Sequence, residues 1–274
     1  MLNRSTIVLP SLLLLSFVGC APQGEEVAPE VTVSESSPEE ETTNFRLPSF
    51  ILQADEFKNL NQWDAGEKCC NHSIMLSSTI YRKGKTSVRF EQRPDDRSNI
   101  GGDGNFRAEI KQPAPLARKG KTYWVGFSVY PVKIPMLTNF FQFHQKPDKD
   151  KPWGSPPFQL RLYPDKRVEL IIHPGQGAKI IQLGTYKPKQ WNDIAMQVKF
   201  AEDKSAFINV WLNGKKTSYS GRPLAYSDAE RGKTGPYVKM GSYTGKNRPT
   251  SKIVLYIDSF KMANNNAKLQ DVHP

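Results

Sequence analysis

Five polar side chains stand at alternating positions in three short apolar stretches: Arg107, Gln142, His144, Lys239 and Tyr243. Arginine can hold a carboxylate through two parallel hydrogen bonds, histidine titrates near neutral pH, and a tyrosine beside a cation can give or take a proton. Such groups could neutralise a carboxylate, remove the proton from the adjacent carbon and protonate a departing oxygen. These steps make up β-elimination beside a carboxylate, the chemistry that breaks polyuronate chains.

These side chains can cooperate only if the chain places them on one surface. Successive side chains of a β-strand point to opposite faces. In the segment Asn139–Gln145, Gln142 and His144 therefore share the face opposite Phe141 and Phe143. In the other segments the same alternation groups polar residues on one face: Arg107 and Glu109; Tyr237, Lys239, Gly241 and Tyr243; Gln159, Arg161 and Tyr163.

The composition of this polar face favours a binding groove. A plain solvent face usually mixes Lys, Glu, Thr and Ser, whereas this one carries planar donors and hydrogen-bonding aromatic side chains. We therefore expect a groove for an anionic sugar chain. The ordinary solvent face of an amphipathic sheet is the alternative.

The pattern after residue 45 is almost entirely that of strands. Segments rich in Val, Ile, Phe, Tyr and Trp alternate with turn residues, and Asn213-Gly214 is a strong type I′ hairpin signal. We predict an all-β fold, a single β-sandwich jelly roll of concanavalin-like type with a concave substrate groove, over residues 45–274. The predicted strands are Ser87–Gln92, Phe106–Ile110, Thr122–Val132, Asn139–Gln145, Phe158–Tyr163, Arg167–His173, Trp191–Phe200, Ala206–Leu212, Tyr237–Tyr243 and Ile253–Met262.

The first 44 residues are predicted to be a targeting segment and a tether. Residues 1–19 are typical of a signal peptide, because their apolar run is shorter than the ~20 residues that span a bilayer. The run ends in Phe17-Val18-Gly19-Cys20, which resembles the lipobox of bacterial lipoproteins, so Cys20 is the predicted lipidation site. An ordinary secretory peptide is the alternative. Residues 20–44 are acidic and lack aromatics, which predicts a disordered linker.

The charge of the remaining domain indicates the kind of partner. The chain has 38 Lys and Arg against 27 Asp and Glu, a formal net charge of +11. Residues 1–44 hold one Arg and seven Glu, so the 37 basic and 20 acidic residues after them carry +17. A domain this basic favours an anionic partner. We predict an acidic polysaccharide and no nucleic acid, and a monomer at the cell envelope, periplasm-facing or at the cell surface, held to the membrane only by its N-terminal lipid.

The sequence offers little to hold a metal ion or a disulfide. Cys69 and Cys70 are adjacent, and no C-x-x-C pair or zinc-like His and Cys spacing occurs, so we interpret them as thiols. A vicinal disulfide is the alternative. The glycine-rich loop 100–105 could form a wall of the groove. Its Asp103 and Asn105 are a weak basis for calcium, and we expect no cofactor.

Three motifs in this chain resemble those of the jelly-roll polysaccharide lyases. Phe106-Arg107-Ala108-Glu109-Ile110, Gln142-Phe143-His144 and Tyr237-Val238-Lys239-Met240-Gly241-Ser242-Tyr243 are similar to the R-x-E-L/I, Q-I/V/F-H and Y-x-K-x-G-x-Y signatures of alginate lyases. The stretches around them resemble the heparin-lyase-I-like and glucuronan-lyase branch more closely: Tyr123–Tyr130, Phe141–Gln145, Trp191–Asp193, Val210–Lys215 and Tyr256–Asp258.

The resemblance implies a role for each motif residue. Arg107 and Gln142 would neutralise the uronate carboxylate, with Glu109 orienting Arg107. His144 would be the base or a second neutralising group, according to the configuration at C5. Tyr243 would protonate the leaving O4 and could also serve as the base in a syn elimination.

The remaining implied residues contact the substrate. Lys239 would hold it or lower the pKa of Tyr243, and Tyr237 would be a subsite platform or a packing residue. Gln159 and Arg161, which the alternation rather than the resemblance places on the polar side, complete the predicted substrate-binding set. Two departures from the alginate pattern, Ala108 and the pair Thr244-Gly245, favour a glucuronan or glycosaminoglycan-like polymer over alginate.

Three other functions compete with a lyase. A non-catalytic carbohydrate-binding lipoprotein on the same fold would keep the aromatics and Arg107, but it has no need of Gln142, His144 and Tyr243 together. A jelly-roll glycoside hydrolase needs two carboxylates about 5–5.5 Å apart if it is retaining, and no E-x-D-x-x-E strand is present. A nucleic-acid-binding or surface adhesion protein would use the charge alone, and no RNA- or DNA-binding signature is present.

Overall fold

The computed structural model describes residues 49–97, 104–113, 117–145, 155–173, 177–222, 224 and 235–274. The predicted signal peptide 1–19, Cys20 and the linker 20–44 lie outside these residues. In chain order the described elements are β1 (Phe50–Ala54), β2 (Asp64–Lys68), a 3-10 helix (Asn71–Ser73), β3 (Ile74–Ser77), β4 (Ser87–Gln92), β5 (Phe106–Lys111), β6 (Thr122–Lys133), β7 (Thr138–His144), β8 (Phe158–Leu162), β9 (Arg167–Ile172), β10 (Lys179–Thr185), β11 (Asn192–Lys199), β12 (Phe207–Leu212), β13 (Lys215–Ser220), β14 (Tyr237–Gly245), β15 (Ile253–Asn264) and α1 (Leu269–Val272).

These strands form two antiparallel sheets, which confirms the predicted all-β sandwich. The eight-stranded sheet has the order β13-β12-β11-β6-β15-β4-β3, with β1 paired to β15. The seven-stranded sheet has the order β10-β9-β8-β7-β14-β5-β2. Consecutive neighbours such as β8 and β9 are hairpins, whereas β14 inserts between β7 and β5 from far along the chain, so long-range pairing builds the centre of this sheet.

The core lies between the two sheets and is rich in phenylalanine. Phe127 of β6 stacks on Phe141 of β7 with ring centroids 4.8 Å apart, and Phe143 and Phe158 both contact Phe200 from the opposite side of the sandwich. Each fully buried phenylalanine contributes about 1.5–3 kcal/mol through removal from water. The inner face of β7 is thereby anchored, and its other face is left for polar residues.

The ten predicted strands are all present, with ends that shift by at most two residues. The turn signals are also confirmed: Asn213 and Gly214 both have positive φ, at 49° and 83°, as a type I′ turn requires. Five strands were not predicted, namely β1, β2, β3, β10 and β13. Four of them are the outermost strands of the two sheets, and β1 pairs only with β15.

The interpretation of Cys69 and Cys70 as thiols is wrong, because the two residues are joined in a vicinal disulfide. Adjacent Cα atoms lie closer together than the 4.4–6.8 Å usual for a disulfide, which is why the sequence favoured thiols. The pair occupies the bend between β2 and the 3-10 helix. Among the described residues, no helix has the length and apolar character that crossing a membrane requires.

Candidate active site

The three sequence motifs lie side by side in the seven-stranded sheet. Strand β14 pairs with β5 on one side and β7 on the other. Tyr243 is opposite Arg107 of β5, and Lys239 is opposite Gln142 of β7. Tyr237 is in turn opposite His144. The structure therefore brings the predicted site residues onto one face of three adjacent strands, which we call the polar face.

Gly241 allows β14 to lie close enough to β5 for this pairing. Its φ is +142°, and a Cβ added there would sit 2.1 Å from the carbonyl oxygen of Ala108. Any other residue would push the two strands apart. The pairing of β14 with β7 also shifts register between Met240 and Tyr243, so a bulge lies close to Tyr243, as often happens beside functional sites.

A carboxylate that the sequence analysis missed organises the cations of the polar face. Glu67 of β2 is 5% exposed and accepts hydrogen bonds from Lys239 at 2.5 Å, Arg107 at 3.0 Å and Lys111 at 3.0 Å. Burial would raise its pKa, but Lys239 and Lys111 outweigh burial and lower the pKa of Glu67 to about 2. Glu67 is therefore ionised at neutral pH and fixes the position of Arg107 and Lys239.

Glu109 binds a second pair of polar side chains. Its Oε1 accepts a hydrogen bond from Nε2 of Gln142 at 2.6 Å, and its Oε2 lies 3.0 Å from Nζ of Lys239. Burial raises the pKa of Glu109, while the charge of Lys239 opposes that rise. Glu109 is 2% exposed, so it positions Gln142 and Lys239 from beneath. The role expected of it, orientation of Arg107, stays a prediction.

His144 is poised as a neutral imidazole. Burial, reinforced by the positive charge of Lys239, lowers the pKa of His144 to about 4. Nδ1 lies 2.7 Å from the backbone carbonyl oxygen of Gln145, and a bond that Nδ1–H donates there leaves Nε2 with the lone pair. Tyr237 packs against the imidazole with ring centroids 5.9 Å apart. A neutral imidazole can accept a proton at pH 7.

Arg107 and Tyr243 meet at the other end of the polar face. The guanidinium carbon of Arg107 lies 5.1 Å from the centroid of the Tyr243 ring, within the range of a cation–π contact. Arg107 also contributes to lowering the pKa of His144. The guanidinium is thus electrostatically coupled to the imidazole while it packs on the phenol.

Arg161 and Gln159 extend the polar face onto β8. Gln159 is opposite Gln142, and Nε of Arg161 donates to Oδ1 of Asn139 at 2.9 Å. Asn139 in turn donates through Nδ2 to the backbone carbonyl of Tyr243 at 3.1 Å. Arg161 is therefore linked to the strand that carries the phenol.

Burial divides the polar face into two layers. Arg107, Gln142, Lys239, Glu109 and Gln159 are all at most 8% exposed. His144, Tyr243 and Arg161 are half-buried and present more of their side chains to the outside. His144, Tyr243 and Arg161 thus present more surface to a ligand, whereas Lys239 and Glu109 contact each other in the buried layer. Asp103, the weak candidate for a calcium ligand, lies outside the described residues.

The chain is similar to a known family in sequence and to known enzymes in fold. The profile of the family described as polysaccharide lyase matches residues 55–261. The structure resembles an endo-β-1,4-glucuronan lyase from the fungus Trichoderma reesei, with a TM-score of 0.59 and 16% identity over 82% of this chain and 94% of that one. No curated protein sequence matches significantly.

Two alginate lyases have the same fold. One, of polysaccharide lyase family 7, has a TM-score of 0.53 and 16% identity over 70% of this chain and 85% of that one. The other, from Pseudomonas aeruginosa, has a TM-score of 0.51 and 13% identity over 74% of this chain and all 100% of that one. The jelly-roll architecture expected from the sequence is thereby confirmed.

Proposed function

The chain belongs to the polysaccharide lyase family, and we propose that it cleaves a uronate-containing polysaccharide by β-elimination on its polar face. The observation that carries this proposal is the placement of Arg107 over Tyr243 on the same face as a neutral His144. The polar face thus offers Arg107 to neutralise the substrate carboxylate, and His144 and Tyr243 to transfer the proton. A domain that only held a sugar would need no proton-transfer pair.

The first task in such a reaction is to neutralise the uronate carboxylate. The C5 proton becomes acidic only when the charge that spreads onto the carboxylate is stabilised, and preorganised donors do this best in a site that excludes water. Arg107 and Gln142 are suited to the task because Glu67 and Glu109 already hold them in place. Little reorganisation is then needed when the substrate arrives.

The second task is the transfer of one proton. In a 4-linked glucuronate, C5–H and the C4–O bond lie on the same side of the ring, so one group can remove the proton and return it to O4. Tyr243 is the group we assign to this step, and the Arg107 guanidinium packs over its ring. In a sugar of the opposite C5 configuration the two bonds lie on opposite sides, and neutral His144 would take the proton while Tyr243 delivers one to O4.

We propose a glucuronan or a glycosaminoglycan-like polymer as substrate in preference to alginate. The similarity to the glucuronan lyase extends over more of this chain than the two alginate lyase similarities do. Of the two departures from the alginate motifs, Ala108 is fully buried and so does not touch a ligand. Gly245 differs, since a Cβ there would lie 3.8 Å from the hydroxyl of Tyr243. The missing side chain leaves room beside the phenol.

The test is a panel of glucuronan, glycosaminoglycans and alginate, followed through the ultraviolet absorbance of the unsaturated product. We expect the fastest cleavage on glucuronan or a glycosaminoglycan. Tyr243→Phe should lower kcat at least ~10²-fold, the scale of general acid–base catalysis. Tyr219→Phe is the matched control, because Tyr219 lies on β13 of the other sheet. Retained polymer binding with no product on any polymer would favour the carbohydrate-binding alternative.

We also propose that the enzyme is anchored in the cell envelope through a lipid on Cys20. The support is the sequence alone, namely an apolar run that ends in Phe17-Val18-Gly19-Cys20. The test is fractionation of cells that produce the wild type or Cys20→Ser. The wild type should sediment with membranes and the variant should not. Equal membrane association of the two would refute the anchor.

A further inference from the structure

Four residues with metal-binding side chains cluster beside the polar face without belonging to it. Cys69, Cys70 and Asp96 each place one ligand atom within 4.8 Å of the others. His72 joins them through Nε2, which lies 2.7 Å from Oδ2 of Asp96. The cluster sits at the end of β2, and nothing in the proposed elimination uses it.

Asp96 is the feature that points to a ligand. The residue is 5% exposed, and its Oδ2 is occupied by His72 and by the backbone N–H of Arg93 at 2.8 Å. Its Oδ1 faces Sγ of Cys70 at 3.7 Å. A disulfide sulfur carries no proton, so among the described residues this buried oxygen receives no hydrogen bond while the disulfide is closed. Buried carboxylate oxygens are normally satisfied by a donor or a cation.

We propose that the reduced form of this cluster binds a thiophilic divalent cation such as Zn²⁺. Two thiolates and the Oδ1 of Asp96 give three protein ligands, and the fourth tetrahedral position stays open to water. Thiolates favour zinc and cadmium over calcium and magnesium. His72 fixes the carboxylate from behind, as the outer partners of metal ligands do. The disulfide is then the closed state of the site.

Opening the site takes two electrons and two protons. A phosphine reductant gives both electrons to the sulfur–sulfur bond and takes up the oxygen of one water, while that water's two protons go to the sulfurs of Cys69 and Cys70. The cation then displaces the two thiol protons, which leave to solvent. Hydrogen peroxide, which takes the two electrons and is reduced to water, joins the two sulfurs again, and the loss of both thiolates releases the metal.

The experiment measures Zn²⁺ bound to the full chain by equilibrium dialysis, with and without prior phosphine reduction. We expect the reduced wild type to bind one equivalent more than the oxidised wild type. The double variant Cys69→Ser, Cys70→Ser should lose this increment. It retains Cys20, so any metal held by that thiol appears in both proteins and cancels. With Cd²⁺ as the probe, a thiolate-to-metal absorption band should appear only in the reduced wild type.

Two further variants separate a ligand from a merely structural residue. Asp96→Asn keeps an oxygen for the Arg93 N–H but removes the charge, and it should weaken Zn²⁺ binding strongly without loss of the fold. His72→Ala should weaken Zn²⁺ binding 10- to 100-fold, the range seen for partners behind a metal ligand. Equal stoichiometry in reduced wild type and the double serine variant would overturn the proposal. So would equal binding by the reduced and the oxidised wild type. Activity on polyuronates plays no part in this test.

Discussion

Replacement of Glu67 by glutamine tests whether one buried carboxylate holds the candidate site together. Glu67→Gln keeps the size and shape of the glutamate side chain and removes its negative charge. Lys239 and Arg107, which donate to it at 2.5 and 3.0 Å, would remain buried without the negative charge of this partner. A charge left unpaired in the interior is costly, typically 3–5 kcal/mol.

The structure gives the size of the effect independently. The pKa of Glu67 falls from an ordinary 4.5 to about 2 on folding, and one pKa unit corresponds to about 1.4 kcal/mol. The ionised carboxylate thus stabilises the fold by about 3 kcal/mol at pH 7. A lowered pKa means that this contribution is fully present above pH 4.5 and is lost as the pH falls towards 2. At pH 3 about 1 kcal/mol should remain.

The assay is urea unfolding of wild type and Glu67→Gln at pH 7 and pH 3, combined with kcat/KM on the best polymer. We expect the variant to lose about 3 kcal/mol at pH 7 and about 1 kcal/mol at pH 3, with kcat/KM at least ~10-fold lower. Asp64→Asn is the matched control on the same strand, since Asp64 is well exposed and only 3.4 Å from Lys111. It should cost at most about 1 kcal/mol. A Glu67→Gln loss no larger than that of the control, or one independent of pH, would refute the reasoning.

Three more outcomes are expected from the same geometry. Because the pKa of His144 is about 4, kcat/KM on a substrate that uses it as base should fall only as the pH drops through about 4, and His144→Asn should abolish that acid limb in a pH-rate profile. Arg107→Lys keeps the charge but loses the planar fork, so steady-state kinetics should show about 10²-fold lower kcat; an unchanged kcat would remove Arg107 from the site. Gly241→Ala should cost more than about 4 kcal/mol by urea unfolding, whereas Gly214→Ala, with φ +83° but open space, should cost about 1 kcal/mol; equal losses would contradict the close approach of β14 to β5.

The sequence predicted the strands that are buried and missed those at the edges. A central strand such as β14 has a covered apolar face, so apolar and polar residues alternate visibly along its sequence. An edge strand pairs on one side only and buries little: β13 has no buried residue, and β10 has one. Edge strands tend to be polar because exposed apolar edges invite aggregation. The signal that identifies a strand is therefore weakest where the sheet ends.

The same limit explains why Glu67 was missed while Arg107, Gln142 and Lys239 were found. Glu67 lies on the edge strand β2, in Asp64-Ala65-Gly66-Glu67-Lys68, where no apolar alternation assigns it to a face. Its importance comes from the pairing of β2 with β5, which sets it opposite Glu109. That pairing joins segments about 40 residues apart, and nothing local in the sequence encodes it.

Alternation also reveals which face a side chain occupies but not how deeply it lies. The predicted catalytic and substrate-binding residues share the polar face, yet Lys239 and Glu109 are buried while His144 and Tyr243 are only half-buried. Burying charges around a site is costly unless they are paired, and here ionised Glu67 offsets Lys239 and Arg107. Because the interior has a low dielectric constant, these fixed charges act strongly on the ionisable groups nearer the surface. The depression of the His144 pKa by burial and Lys239 is this effect already present before any substrate binds.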